Sequence, residues 1–424
     1  MLSRRLVSSF LLLLPAIQAQ QGHEPAQLGD AGSSVLGSRV PLLPKSAPID
    51  FALDRRQAAG SSCGPDAGGA VCGPGLCCSA DGVCGVGRAF CDAPDCQFEY
   101  GPACDANAVP SGANTTSVPR PRLGSVLYGG GGITQCTQAG TLALTYDDGP
   151  YIYTSELLDI LQENDVPATF FITSVNLNKG EIDNASTAWP EILRRMVSEG
   201  HQVASHTWSH QNLNEITSSE RFDQLVKNEM AFRNVLGYFP TYMRPPYNTC
   251  LRDAGCVGDV ETLGYHIIKW NLDTLDYQNL TPDTIQKSKD IVSDAFASGS
   301  QWIVGDHDIH PQTVRNLTQF IIDQGKARGY TFVTVGECLG DPAENWYRDP
   351  TTGGAIGASA AQKRTDGTFA STKLVERAGN GSATAEVGAA ATSSTAESGS
   401  GGLITDGKML AVAVSLINLA FAWA

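Results

Sequence analysis

Positive charge is scarce in this chain of 424 residues: 29 Lys and Arg stand against 44 Asp and Glu, a formal net charge of −15. A polyanion is repelled by that balance, which excludes a nucleic-acid partner. Long hydrophobic runs are also scarce. Near the start, Arg4 and Arg5 precede an apolar run at 10–14 and then Ile17-Gln18-Ala19; the run is too short to span a bilayer and reads as a secretory signal, 1–19, cleaved near Ala19. Residues 348–402 carry hardly any large apolar side chain and are rich in Ala, Gly, Ser and Thr. Such a composition cannot bury a core, and it reads as a solvated, O-glycosylated stalk. The uncharged apolar stretch 409–424 stands apart from this polarity; small residues at 398–402 and a short polar spacer precede it. That layout fits a glycosylphosphatidylinositol signal, in which the tail 403–424 is removed and lipid holds the protein on the outer leaflet. A tail-anchored helix is the alternative. Five N-x-S/T sequons, at Asn114, Asn184, Asn279, Asn316 and Asn380, agree with a secretory route.

Cysteine is abundant but uneven. Eight of the twelve, Cys63, Cys72, Cys77, Cys78, Cys84, Cys91, Cys96 and Cys104, fall within 62–104, where little else is apolar. In a secreted segment of this size that density means four disulfides replacing a hydrophobic core, with the connectivity open. Of the other four, Cys250 and Cys256 are spaced to close a short loop, while Cys136 and Cys338 flank a large domain, 135–347, and are placed to tie its ends together. Segments 20–61 and 105–134 read as linkers.

The chemistry concentrates in Tyr146-Asp147-Asp148-Gly149-Pro150 and Ser205-His206-Thr207-Trp208-Ser209-His210. Two histidines at i, i+4 point the same way, and one carboxylate completes a three-ligand set with open water positions, as catalytic rather than structural metal sites require. Asp148, His206 and His210 are therefore the candidate ligands of one divalent metal, with Zn2+ the first choice and Co2+ a possible substitute. Asp147, next to the presumed ligand, is the candidate base for a bound water.

Three further clusters follow: Arg244-Pro245-Pro246-Tyr247, Asp273-Thr274-Leu275-Asp276-Tyr277 and Asp306-His307-Asp308-Ile309-His310. The five together, in this order over roughly 140–335, resemble the polysaccharide deacetylase family, also called the NodB-homology domain or carbohydrate esterase family four. The resemblance implies that Arg244 orients Asp147 and that the backbone amide of Tyr247 faces the developing oxyanion. It also implies that His307 is the general acid, with Asp273 as its orienting partner and Asp276 the second choice. Two positions depart from the family: Gly305 stands where a leucine shapes the acetyl pocket, leaving more room, and Tyr277 stands where tryptophan is usual. The 62–104 segment, with its adjacent Cys77-Cys78, resembles the hevein-type chitin-binding module. Ser79 and Phe90 match that module's serine and last aromatic, whereas Asp81 and Val83 stand where aromatics are usual.

Within 140–335, short β-rich runs at 142–146, 169–172, 202–205, 242–244, 266–270, 302–305 and 331–335 alternate with helical patterns at 155–163, 190–199, 218–236 and 314–328. Thr217 and Glu220 are spaced as a capping box. The expected class is α/β, a distorted seven-stranded (β/α) barrel preceded by the disulfide-rich module; a doubly wound open sheet is the alternative. Module, barrel and anchor together imply a monomeric enzyme at a fungal wall surface that removes acetyl groups from N-acetylglucosamine units of chitin or chitooligosaccharides, giving chitosan and acetate. An esterase acting on acetylated xylan and a wall-binding protein whose barrel has lost activity are the competing expectations.

Overall fold

A computed structural model describes residues 57–356. The expected signal peptide and anchor tail lie outside the described residues, as does the expected stalk beyond residue 356; its first residues, 348–356, are instead folded, since Arg348 pairs with Phe239 in the final strand and Arg348 and Ile356 are both buried. Among those described, no helix is long and apolar enough to cross a membrane.

The module is built on its disulfides: Cys63–Cys78, Cys72–Cys84, Cys77–Cys91 and Cys96–Cys104. They cross-link a two-stranded ribbon, β1 (Cys77–Cys78) and β2 (Cys84–Gly85), and the short helix α1 (Arg88–Cys91). Its two small apolar clusters are mainly cysteine, lined by Leu76 and Tyr100 in one and by Phe90 and Phe98 in the other. Ser79 is buried and its Oγ accepts the Val83 N–H at 3.3 Å. Phe90 is half-buried, with its ring lying on the backbone of Gly85.

The large domain begins with β3 (Thr141–Asp147), every residue of which is buried, as expected of a parallel strand covered on both faces. There follow α2 (Thr154–Asn164), β4 (Thr169–Ile172), α3 (Trp189–Ser198), β5 (Gln202–Ser205), α4 (Ser218–Leu236), β6 (Phe239–Pro240), β7 (Tyr242–Met243), α5 (Cys256–Thr262), β8 (His266–Ile267) and β9 (Leu272–Asp273). The chain continues through α6 (Ile285–Phe296), β10 (Trp302–His307), a π-type turn at Thr313–Leu317, α7 (Thr318–Ala327), β11 (Thr331–Val333), α8 (Val335–Cys338) and β12 (Tyr347–Arg348). The sheet order is β8-β7-β5-β4-β3-β10-β9, all parallel, with β11 beside the start of β3. Its two ends, β8 and β9, are successive stretches of one chain segment. Because the two edge strands are carried by one short segment, the sheet curls round into a distorted seven-stranded half-barrel and not an open doubly wound sheet; Ile133 adds an isolated bridge to Ile268 at that edge.

Local chemistry explains where elements stop. Thr217 and Glu220 form the reciprocal capping box of α4, which ends at Gly237 in the left-handed region (φ 80°). Strand β11 ends two residues earlier than the run of β-formers, because Thr334 caps α8 through a second box with Glu337. Cys136–Cys338 and Cys250–Cys256 are both bonded.

The segment 105–134, read as a linker, is packed against the barrel. Arg120 grips the buried carboxylate of Glu229 through both Nη atoms, at 2.7 and 2.8 Å, and Tyr265 donates to the same group. Two donors, Trp208 Nε1 and Lys227 Nζ, converge on Ala106 O at 3.1 and 3.0 Å.

Candidate active site

Parallel strands in a curled sheet deliver their C-terminal ends to one rim. There β3 ends in Asp147, β5 in Ser205 just before His206, β7 in Met243 just before Arg244, β9 in Asp273 and β10 in His307. A cavity of about 480 Å³ opens at this rim, lined by Asp147, Asp148, His206, His210, Tyr247, Asn248, Trp270, Asp273, Tyr277 and His307. Every expected site residue of the large domain is in this lining except Arg244 and Asp276, which are buried behind it. Ser79 and Phe90 belong to the module and do not line it.

Ligand atoms of Asp148, His206 and His210 lie within 4.8 Å of one another. Asp148 Oδ1 is 3.2 Å from His210 Nε2 and 3.6 Å from His206 Nε2, and it has no hydrogen-bond donor although it is buried. The Nδ1 of His206 faces Arg244 O at 2.8 Å, so its proton belongs there and Nε2 is left to present its lone pair towards the cavity. An orphaned carboxylate oxygen beside two imidazole nitrogens fits a divalent cation. Burial opposes charge on Asp148, but His210, His206, His307 and Lys179 outweigh it and hold the carboxyl below its usual range. The backbone that presents these groups is strained, with Asp148 at φ 75°, Thr207 at 72° and His210 at 57°. Lys179 supports the first of them: its buried Nζ donates to Asp148 O at 2.9 Å and Gly149 O at 3.0 Å.

Asp147 is 1% exposed. Arg244 Nη1 donates to its Oδ1 at 2.7 Å and to Thr145 Oγ1 at 2.7 Å. The guanidinium is wholly buried between the rings of Phe171, 4.0 Å from the centroid, and Trp270, 5.1 Å away. The other carboxylate oxygen, Oδ2, is turned towards His206 Nε2 at 3.9 Å.

Across the cavity, His307 Nδ1 bonds Asp276 Oδ1 at 2.8 Å, while Asp276 Oδ2 accepts the His307 N–H and the Thr313 hydroxyl, each at 2.7 Å. Burial works against the imidazolium, but Asp276, through charge and hydrogen bond, lifts His307 to about 10. The partner of His307 is thus Asp276 and not Asp273, which corrects the expected assignment. Leu275 takes a left-handed conformation (φ 52°), and the turn at Asp276–Gln278 swings Asp276 inward under the histidine. Asp273 remains on the cavity wall, where it accepts the Leu275 N–H at 3.0 Å and the Tyr277 hydroxyl at 3.2 Å.

The room expected at Gly305 is already taken. A Cβ there would lie 2.6 Å from the indole of Trp270, the same ring that covers Arg244. Neither Trp270 nor Lys179 was recognised in the sequence; both act through contacts between segments far apart in the chain. Thr145 was also missed, although it lies two residues before Asp147 on a strand and so on the same face.

Residues 134–268 match the family described as Polysaccharide deacetylase, and residues 62–104 match Chitin recognition protein. A chitin deacetylase of Colletotrichum lindemuthianum is 49% identical over 219 residues, which is 51% of this chain and 86% of that protein. A chitin deacetylase of Pestalotiopsis sp is 44% identical over 241 residues, 57% of this chain and 77% of the relative. The solved structure of the Colletotrichum lindemuthianum chitin deacetylase aligns with a TM-score of 0.48 at 48% identity, covering 53% of this chain and 97% of that one.

Proposed function

The chain belongs to the polysaccharide deacetylase family, and we propose that it hydrolyses the N-acetyl groups of N-acetylglucosamine units in chitin, releasing acetate and leaving chitosan. The observation that carries this reading is the opposition, across one cavity, of an Arg244-held Asp147 and an Asp276-held His307 on either side of three converging metal donors. Asp148, His206 and His210 would hold one divalent ion, zinc first and cobalt second by their hard and borderline donors. Bound there, the ion supplies Lewis acidity, which lowers the pKa of a water and polarises the acetyl carbonyl.

Asp147 takes a proton from that water at Oδ2, because Oδ1 is committed to Arg244. Arg244 is fixed by two ring faces and by Thr145, so the carboxylate cannot swing away as the proton arrives. The backbone N–H of Tyr247, placed at the rim by Pro245 and Pro246, meets the oxygen on which charge develops. His307 is cationic at neutral pH and donates its Nε2 proton to the departing sugar nitrogen, so the amine leaves neutral. Asp276 holds Nδ1 and keeps the ring aimed.

An extracellular setting agrees with the module and with twelve cysteines paired in six disulfides. We place the protein on the outer leaflet of a fungal cell through its C-terminal lipid signal, where chitin of the wall is within reach. Acetate release from chitooligosaccharides by the purified protein, with and without a chelator, tests the activity. Release from acetylated xylan but not from chitooligosaccharides overturns it.

A further inference from the structure

The module is fixed against the rim of the active site. Asp92 Oδ1 accepts the Asn178 N–H at 2.6 Å, and Pro94 O accepts Gln211 Nε2 at 3.2 Å. Gln211 directly follows the metal-donor candidate His210, and Ala106, just past the module, holds Trp208 of the same loop. Between module and barrel lies a second cavity, of about 300 Å³, at the small end of the range for ligand sites. Its walls include Phe98, Tyr100 and Gln97 from the module and Gln211 from the barrel. Phe98 and Tyr100 are half-buried: one side of each packs on the disulfide clusters. Gln97 and Gln211 each commit the amide nitrogen to backbone carbonyls, which fixes both side chains. The two cavities flank one loop, since Gln211 lines this one and its neighbour His210 the other. Asp95, which is exposed, lines the same cavity.

We propose that this seam is a distal sugar subsite, in which a chitin chain seated in the active site continues past Tyr247 and rests further N-acetylglucosamine units on Phe98 and Tyr100. Pyranose rings present flat apolar C–H faces that suit such aromatic surfaces, and their hydroxyl and acetamido groups suit fixed amides. The module's expected sugar face is poorly suited to the task, because Asp81 and Val83 replace aromatics and Ser79 is buried. The seam makes the module a fixed extension of the catalytic groove and not a tethered anchor. A site held in register gains the benefit of linked binding without a flexible tether.

This inference rests on the deacetylase reading, and its test separates the two. Calorimetric binding of chitobiose and chitohexaose to the full chain reads the seam, and acetate release from chitobiose reads the activity. The hexamer binds at least about tenfold tighter than the dimer. Phe98→Ala, which removes a platform, and Asp95→Trp, which blocks the mouth from an exposed position, each bring that ratio below about threefold while the dimer's Kd is unchanged. A ratio that survives Asp95→Trp, or a wild-type ratio near one, overturns the subsite; so does equal weakening of dimer and hexamer, which would place the effect in the active site. A wild-type protein that releases no acetate sinks the deacetylase reading alone, because the binding ratio still decides the seam.

Discussion

The two flanks of the active cavity hold their acid–base groups in different ways. On one side a guanidinium, charged at any accessible pH, lies between two aromatic faces and grips Asp147. On the other, His307 is a titrating group whose charge depends on Asp276 beneath it. The first flank is an orientation device with a permanent cation; the second is a proton store whose capacity a neighbour sets. Loss of a charge should therefore cost orientation and base chemistry on the first flank, and should move a pH limit on the second.

The largest effect is expected on the fixed flank. Asp147→Asn keeps an acceptor for Arg244 but cannot take a proton, so turnover should fall by about 10² to 10⁴, the usual worth of a positioned base. Bound metal, read by elemental analysis, should stay near the wild-type level because Asp148, His206 and His210 are untouched. Arg244 would lose its charged partner while buried, a loss that can destabilise by up to about 3–5 kcal/mol, so thermal unfolding is measured on the same preparation. A metal-free Asp147→Asn, or one with near-normal turnover, would break the contrast between the flanks.

On the titrating flank, Asp276→Asn should lower turnover by about 10- to 100-fold at neutral pH, and by less in mild acid. Without the carboxylate, His307 falls from about 10 towards its ordinary value near 6.5, and the alkaline limit of the pH–rate profile moves down with it. Stability carries the same signature. The folded-state pKa is raised above the unfolded one, so the stabilisation from this pair is complete below about pH 6.5 and is lost as pH rises through about 10. Denaturation of wild type and Asp276→Asn at pH 6 and pH 9.5 checks it: the gap between them should shrink at the higher pH. An unmoved alkaline limit would show that Asp276 does not set the charge of His307.

How far this site could be read from sequence follows the range of its contacts. The metal donors and Asp147 were legible because adjacent aspartates and an i, i+4 histidine pair are local patterns, and each sits at the end of a buried run that periodicity identifies. The barrel was legible from the same periodicity, and the Cys250–Cys256 pairing from its short spacing; the Cys136–Cys338 pairing, 202 residues apart, was legible only because the two cysteines stand at the ends of the domain. Trp270 was not, because its place over Gly305 and Arg244 comes from packing across separate strands. The packed course of 105–134 was hidden as well. Its hold on Glu229 depends on an arginine and a buried carboxylate more than a hundred residues apart. The choice between Asp273 and Asp276 turned on one backbone angle at Leu275, a leucine in a conformation that this residue type rarely adopts.

That choice yields the smallest and most discriminating expectation. Asp273 lies on the cavity wall and accepts from Leu275 N–H and the Tyr277 hydroxyl, with no hydrogen bond to His307. Asp273→Asn retains an acceptor for the Leu275 amide and loosens only the weak contact to Tyr277 at the rim. Turnover should change by less than about fivefold, since a single long, exposed hydrogen bond contributes on the order of 1 kcal/mol. Any loss should appear in KM, because Tyr277 borders the substrate groove, while the alkaline limit of the pH–rate profile stays at its wild-type position. Parallel profiles of Asp273→Asn and Asp276→Asn decide the point. If Asp273→Asn shifts the limit and Asp276→Asn leaves it in place, His307 takes its charge from the wall aspartate in solution, and the inward turn at Leu275 is not the working arrangement.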